Sequence, residues 1–129
     1  MDNYTLTPTP KTPRLYFEAN SGDFEISGRS IPENSTEFYR PLLEWLDEYA
    51  KNPQSKTRLN VNLEYFNTSS SKCLVEILRK LEKVNEQNDV KVYWHYEEED
   101  EDMMESGEDF RKILKLPIEL VIVEEGADS

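Results

Sequence analysis

The chain has 129 residues, with 27 acidic side chains against 15 basic ones and a formal net charge of −12. That length fits one compact domain, and 36% apolar with 11% aromatic residues is enough for a core, so wholesale disorder is excluded. Clustered Lys and Arg are missing, which argues against a nucleic-acid interface, and no apolar run is long enough to cross a bilayer.

Residues 1–13 hold three prolines and four threonines. They read as an extended lead-in, and without a basic start or an apolar centre they do not form a signal peptide. Leu15, Phe17 and Ala19 then alternate with Tyr16 and Glu18, the period of a strand with one buried face. Asn20-Ser21-Gly22-Asp23 is a turn cluster, after which Phe24 and Ile26 resume the alternation. These features predict a β-hairpin.

Gly28 to Asn34 is predicted to be a loop. Beyond it Phe38, Leu42, Trp45, Leu46 and Tyr49 recur at helical spacing. Pro41 must sit near the first turn of that helix or kink it. Leu59, Val61, Leu63 and Tyr65 mark a second strong strand. Cys73, Leu74, Ile77, Leu78, Leu81 and Val84 mark one face of a helix that opens near Thr68. Val90, Val92, Trp94 and Tyr96 make another strand. An acidic loop, a short helix around Phe110 to Leu116 and a last strand at Ile118 to Val123 complete the order ββαβαβαβ. Strands alternating with helices predict an α/β fold: a mixed, mostly parallel sheet with helices packed on it. The domain is expected to span 14–125, with a short tail at 126–129.

The charge is local. Nine acidic residues and no basic one lie between Glu97 and Asp109, and the rest of the chain is nearly balanced, 18 acids against 15 bases. Hard cations take carboxylate oxygens, but this run lacks the spacing of a calcium loop. It reads as a solvated loop, with Gly107 as a turn before the last helix. A single cysteine, Cys73, excludes an internal disulfide and a cysteine-based zinc site, and by default places the chain in the cytoplasm. Cys73 reads as core packing. His95, the single histidine, reads as a partly exposed strand residue. No catalytic group, metal ligand or cofactor motif stands out.

The most suggestive chemistry lies at Tyr65-Phe66-Asn67-Thr68-Ser69-Ser70-Ser71-Lys72. A strand ends, Asn67 turns the chain, and four hydroxyls open a helix. Helix N-termini present unpaired N–H groups and the positive end of a dipole. A phosphate there is held by those donors, and Lys72 can reach the same anion. Ser and Thr also serve as plain N-caps. The local pattern permits both readings.

Three stretches together resemble the SiaC family of regulatory phosphoproteins: G-R-S-I-P-E-N-S-T-E-F-Y-R-P-L-L-E-W-L (28–46), L-N-V-N-L-E-Y-F-N-T-S-S-S-K (59–72) and D-E-D-M-M-E-S-G-E-D-F (100–110). The resemblance runs from about Thr7 to Val123. It implies a fold related to the STAS-type anti-sigma-factor antagonists. It also implies a non-enzymatic switch protein controlled by a Ser/Thr protein kinase and a metal-dependent phosphatase of the PP2C type. The unphosphorylated form would bind and activate a diguanylate cyclase in cyclic-di-GMP signalling. The family's acceptor falls on Thr68, with Ser69 and Ser70 as alternatives, because Asn67 stands where the broader antagonist group has Asp. Asn67, Ser71 and Lys72 would surround the acceptor. Gly28, Arg29, Ser30, Pro32, Glu33 and Asn34 would form the partner-binding segment. Direct antagonism of an anti-sigma factor, or a metal-binding acidic module, are the competing readings. If the strands ending at Phe66 and Tyr96 are parallel, the acidic run leaves the same sheet edge as Thr68.

Overall fold

The computed structural model describes residues 1–123. The expected tail at 126–129 and the last two residues of the expected domain lie outside the described residues. Six strands form one sheet in the order β1-β2-β3-β4-β5-β6. They are β1 Tyr4–Leu6, β2 Arg14–Phe17, β3 Asp23–Ser30, β4 Lys56–Phe66, β5 Asp89–Glu97 and β6 Ile118–Val123. The helices are α1 Ser35–Lys51, α2 Thr68–Asn85 and α3 Glu101–Ile113. β1, β2 and β3 pair antiparallel, and β3 through β6 pair parallel. This is the mixed, mostly parallel α/β sheet that the alternating pattern predicts.

The register explains the two faces. One row runs Phe17, Phe24, Leu59, Val92, Ile118, and the next runs Leu15, Ile26, Val61, Trp94, Leu120. The first row is buried throughout, and the second is buried except for Leu120, which packs against its edge. Between them runs Tyr16, Glu25, Asn60, Tyr93, Glu119, a polar row on the opposite face. Every crossover joins neighbouring parallel strands in the same direction. Right-handed connections therefore put all three helices on the apolar face. Trp45 and Tyr49 of α1 meet Phe24 there at centroid distances of 5.5 and 5.0 Å.

Three segments differ from the pattern reading. Tyr4–Leu6 is a true edge strand, so part of the lead-in belongs to the sheet. Three residues are too few to show a period, and Pro8, which lacks an N–H, follows closely. The segment from Gly28 is not all loop. β3 continues to Ser30, with a register shift between Gly28 and Arg29. Gly28 has φ +105°, and its added Cβ would find space, so the backbone angle alone demands glycine there.

The third correction is the largest. The acidic run is mostly helix, because α3 begins at Glu101, with Asp100 as N-cap accepting from Met103 N–H at 3.0 Å. Acidic residues in a first turn favour the helix dipole. Gly107 lies inside α3 and not in a turn. A Cβ on it would stand 2.5 Å from Trp94 Cδ1 and 2.6 Å from Leu120 Cδ2. Its missing side chain lets α3 lie directly on the sheet. Pro41 is likewise inside α1, as its seventh residue, where it withholds one intrahelical N–H.

Candidate functional site

The parallel strands β3, β4 and β5 all end at one edge of the sheet, and α1 and α2 both begin there. Asn67 is the N-cap of α2; its side-chain oxygen accepts from Ser70 N–H at 2.8 Å and from the Ser69 hydroxyl at 3.1 Å. The cap is therefore an amide, and none of the four hydroxyls is needed for it.

Those hydroxyls have different surroundings. Ser70 is fully buried. It donates to the Ser30 carbonyl at 3.0 Å and accepts from the Ser30 hydroxyl at 2.8 Å. Ser30 has then used its one proton, so the Tyr39 phenol, 2.6 Å away, donates to it. The same Ser30 carbonyl accepts from Asn67 N–H at 3.1 Å. Burial pushes the Tyr39 pKa up to about 12, so this phenol stays a donor at ordinary pH. Ser69 is exposed, and the Ser35 hydroxyl at the start of α1 lies 2.8 Å from it. Thr68 is exposed, and its hydroxyl makes no hydrogen bond among the described residues. Ser71 is half-buried and Lys72 is exposed one turn along.

The expected partner segment divides in the same way. Ser30 and Pro32 are buried and Gly28 is half-buried. Arg29, Glu33 and Asn34 are exposed, and Asn34 caps α1 by accepting from Glu37 N–H at 3.2 Å. Ser30 is thus the link between this segment and the hydroxyl run, 40 residues apart in sequence.

Sequence reasoning missed Ser35, Tyr39 and Tyr65. Tyr65 is paired with Arg29 across the β3–β4 ladder and is 53% exposed, large for an aromatic ring. Ser35 and Tyr39 gave no signal, because a serine at a helix start and a tyrosine on an apolar face are ordinary. Tyr65 continues the apolar alternation of Leu59, Val61 and Leu63, which predicts burial, but the register shift of the β3–β4 ladder after Leu63 leaves it exposed.

Glu97, Glu98 and Glu99 are exposed at the end of β5 and so emerge at the same edge as Thr68. Phe66, two residues before Thr68, packs edge-on against Trp94, with centroids 6.1 Å apart. Trp94 in turn donates to Met103 O of α3 at 2.9 Å. The acidic helix and the end of β4, just before α2, therefore both rest on one indole. Among the described residues no three His, Cys, Asp or Glu side chains come close enough together to hold a metal. His95 lies on the polar face with Nε2 donating to Asn60 Oδ1 at 2.9 Å, and burial lowers its pKa. Cys73 is buried, and burial raises its thiol pKa. No helix of the described residues is long and apolar enough to cross a membrane.

A family model described as SiaC family regulatory phosphoprotein matches residues 6–123. An uncharacterized protein of Pseudomonas aeruginosa strain UCBPP-PA14 is 30% identical over 118 residues, which is 91% of this chain and 94% of that one. The crystal structure of apo-SiaC from Pseudomonas aeruginosa superimposes with a TM-score of 0.86 at 29% identity, covering 94% of this chain and 99% of that one. SiaC in the crystal structure of diguanylate cyclase SiaD in complex with its activator SiaC, from the same organism, matches with a TM-score of 0.86 and 29% identity. That match covers 93% of this chain and 99% of the other.

Proposed function

The chain belongs to the SiaC family of regulatory phosphoproteins, and from that premise we propose that it is a non-enzymatic switch whose acceptor is Thr68. The observation that carries the reading is the unequal exposure of the hydroxyl run. A kinase needs an accessible hydroxyl. Ser70 is buried with its proton committed, and Ser69 is tied to Asn67 and Ser35. Thr68 alone of the three candidates is exposed and unbonded among the described residues.

Phosphate on Thr68 would sit in the first turn of an 18-residue helix. It adds roughly −1.5 to −2 of charge where the helix dipole and unpaired N–H groups favour an anion. The modification would therefore stabilise α2, and its effect must come from the surface it alters. At the end of the β3–β4 ladder that leads into Asn67 and Thr68, Arg29 pairs with Tyr65 and both are exposed. Exposed Arg and Tyr are the residue types that anchor protein interfaces. A dianion placed among them repels an acidic partner face and costs desolvation in any tight interface.

The partner is a diguanylate cyclase in this reading, because the structurally similar SiaC is the activator in the SiaD complex. A Ser/Thr kinase would add the phosphate and a PP2C-type phosphatase would remove it.

Peptide mapping of protein purified from its host tests the acceptor; phosphate on Ser70 instead of Thr68 would refute it. For the switch, Thr68→Ala and Thr68→Glu are compared for binding to a diguanylate cyclase from the same genome. Thr68→Ala should bind and Thr68→Glu should not. Equal binding by both sinks the reading.

A further inference from the structure

The two edges of the sheet are unlike. β1 is three residues long and is followed by Pro8 and Pro10, which protects its edge. β6 reads Ile-Glu-Leu-Val-Ile-Val, with no proline and no lysine. Its one charge, Glu119, is already turned to Lys91 of β5 at 2.8 Å.

The phase of the β5–β6 ladder fixes which backbone groups are free. Val92 N–H donates to Pro117 O at 2.9 Å, so residues 117, 119, 121 and 123 turn their backbone toward β5. Ile118, Leu120 and Ile122 turn theirs outward, with no strand beyond them among the described residues. On this flank Ile122 is 50% exposed, large for an apolar side chain.

Charge along this flank is arranged head to tail. Glu97, Glu98 and Glu99 surround Val123 at one end of β6, and Glu101 and Asp102 open α3 beside them. At the other end stand Arg111 and Lys112 in the last turn of α3, followed by Lys115. All three cations are exposed, and none forms an ion pair among the described residues.

We propose that the protein self-associates through β6, pairing antiparallel with β6 of a second copy about a twofold axis normal to the sheet. Leu120 then faces Leu120 of the second copy, and Ile118 faces its Ile122, so that all the outward backbone groups pair. This register brings the acidic end of each flank against the basic end of the other, and the two α3 helices lie side by side with opposed dipoles. A parallel pairing would set acid against acid. Charge complementarity therefore selects both the occupant and its direction. Long-range repulsion between two acidic chains weakens the association at low ionic strength.

Sedimentation velocity on the full chain, at rising concentration and moderate salt, tests this. A concentration-dependent dimer is expected. Ile122→Lys, at an exposed site that tolerates lysine, should weaken it at least ~10-fold while circular dichroism stays unchanged. The double variant Glu119→Cys with Val121→Cys should cross-link into a covalent dimer on mild oxidation, because these positions face each other in the proposed register about 4.5 Å apart at Cα. A monomer at every concentration, a dimer indifferent to Ile122→Lys, or failure to cross-link overturns the proposal.

Discussion

The hydroxyl of Ser35, the first residue of α1, lies 2.8 Å from the hydroxyl of Ser69 in the first turn of α2. Two helix starts separated by 34 residues are thus joined at one sheet edge. The bond continues through Asn67 on one side and approaches Ser70, 3.2 Å from Ser35, on the other. A run of hydroxyls that looks uniform in sequence is sorted by this network into buried, tethered and free members.

Ser70 and Thr68 should respond to alanine in opposite ways. Ser70→Ala leaves the Ser30 hydroxyl with one partner fewer in a buried site, a loss of about 1–2 kcal/mol. Phosphate incorporation should persist. Thr68→Ala should keep stability within about 0.5 kcal/mol, as surface changes do, and abolish incorporation. Urea unfolding and intact mass read the two effects on the same samples.

Gly107→Ala is expected to destabilise the protein, although alanine is the better helix former by about 1 kcal/mol. The new methyl would overlap Trp94 and Leu120. Trp94 is buried and held by its bond to Met103 O, so it has nowhere to retreat. Overpacking of this kind costs about 1–3 kcal/mol, leaving a net loss of up to about 2 kcal/mol. A gain in the urea midpoint would show that α3 does not lie as close to the sheet.

Tyr39 sets an alkaline limit. Its pKa rises from 10.0 to about 12 on folding. A raised pKa contributes stability in full below the unfolded value and loses it as pH climbs to the folded one. Stability should therefore fall between about pH 10 and 12, with Tyr39 contributing about 1.4 kcal/mol per pH unit. Tyr39→Phe should flatten that decline, read as the slope of unfolding free energy against pH.

Glu98, Glu99 and Glu101 are exposed near the edge that carries Thr68. Replacing all three with Gln should change the association rate of the kinase or the cyclase at low ionic strength. The effect should shrink at about 0.5 M salt, where screening reaches only a few ångströms. Stopped-flow rates at two salt concentrations check it; equal rates for wild type and variant at low salt would disconnect the acidic segment from the site.

Period-two and period-3.6 patterns were enough to identify β2 to β6 and the two long helices. In each, apolar side chains face one common core, and that requirement is written locally. The resemblance that names the family is likewise carried by contiguous motifs, as is the choice of residues 68–70 for the acceptor. The start of α3 was hidden because its inward face is Met103, Gly107 and Phe110. A glycine at the contact position carries no hydrophobic signal and imitates a turn. β1 was hidden by its length.

Which hydroxyl of the run is free, by contrast, depends on Ser30, Ser35 and Tyr39, none of them within 28 residues of Thr68. The same holds for the acidic segment. Its charge is plain in the sequence, but its position beside α2 follows from β4 and β5 being parallel neighbours. The sequence by itself determined the class of fold, the family and the short run of hydroxyls at 68–71, because each rests on local periodicity or contiguous residues. Only the tertiary structure decided which hydroxyl is accessible, since burial and hydrogen bonding are set by side chains brought together from distant parts of the chain.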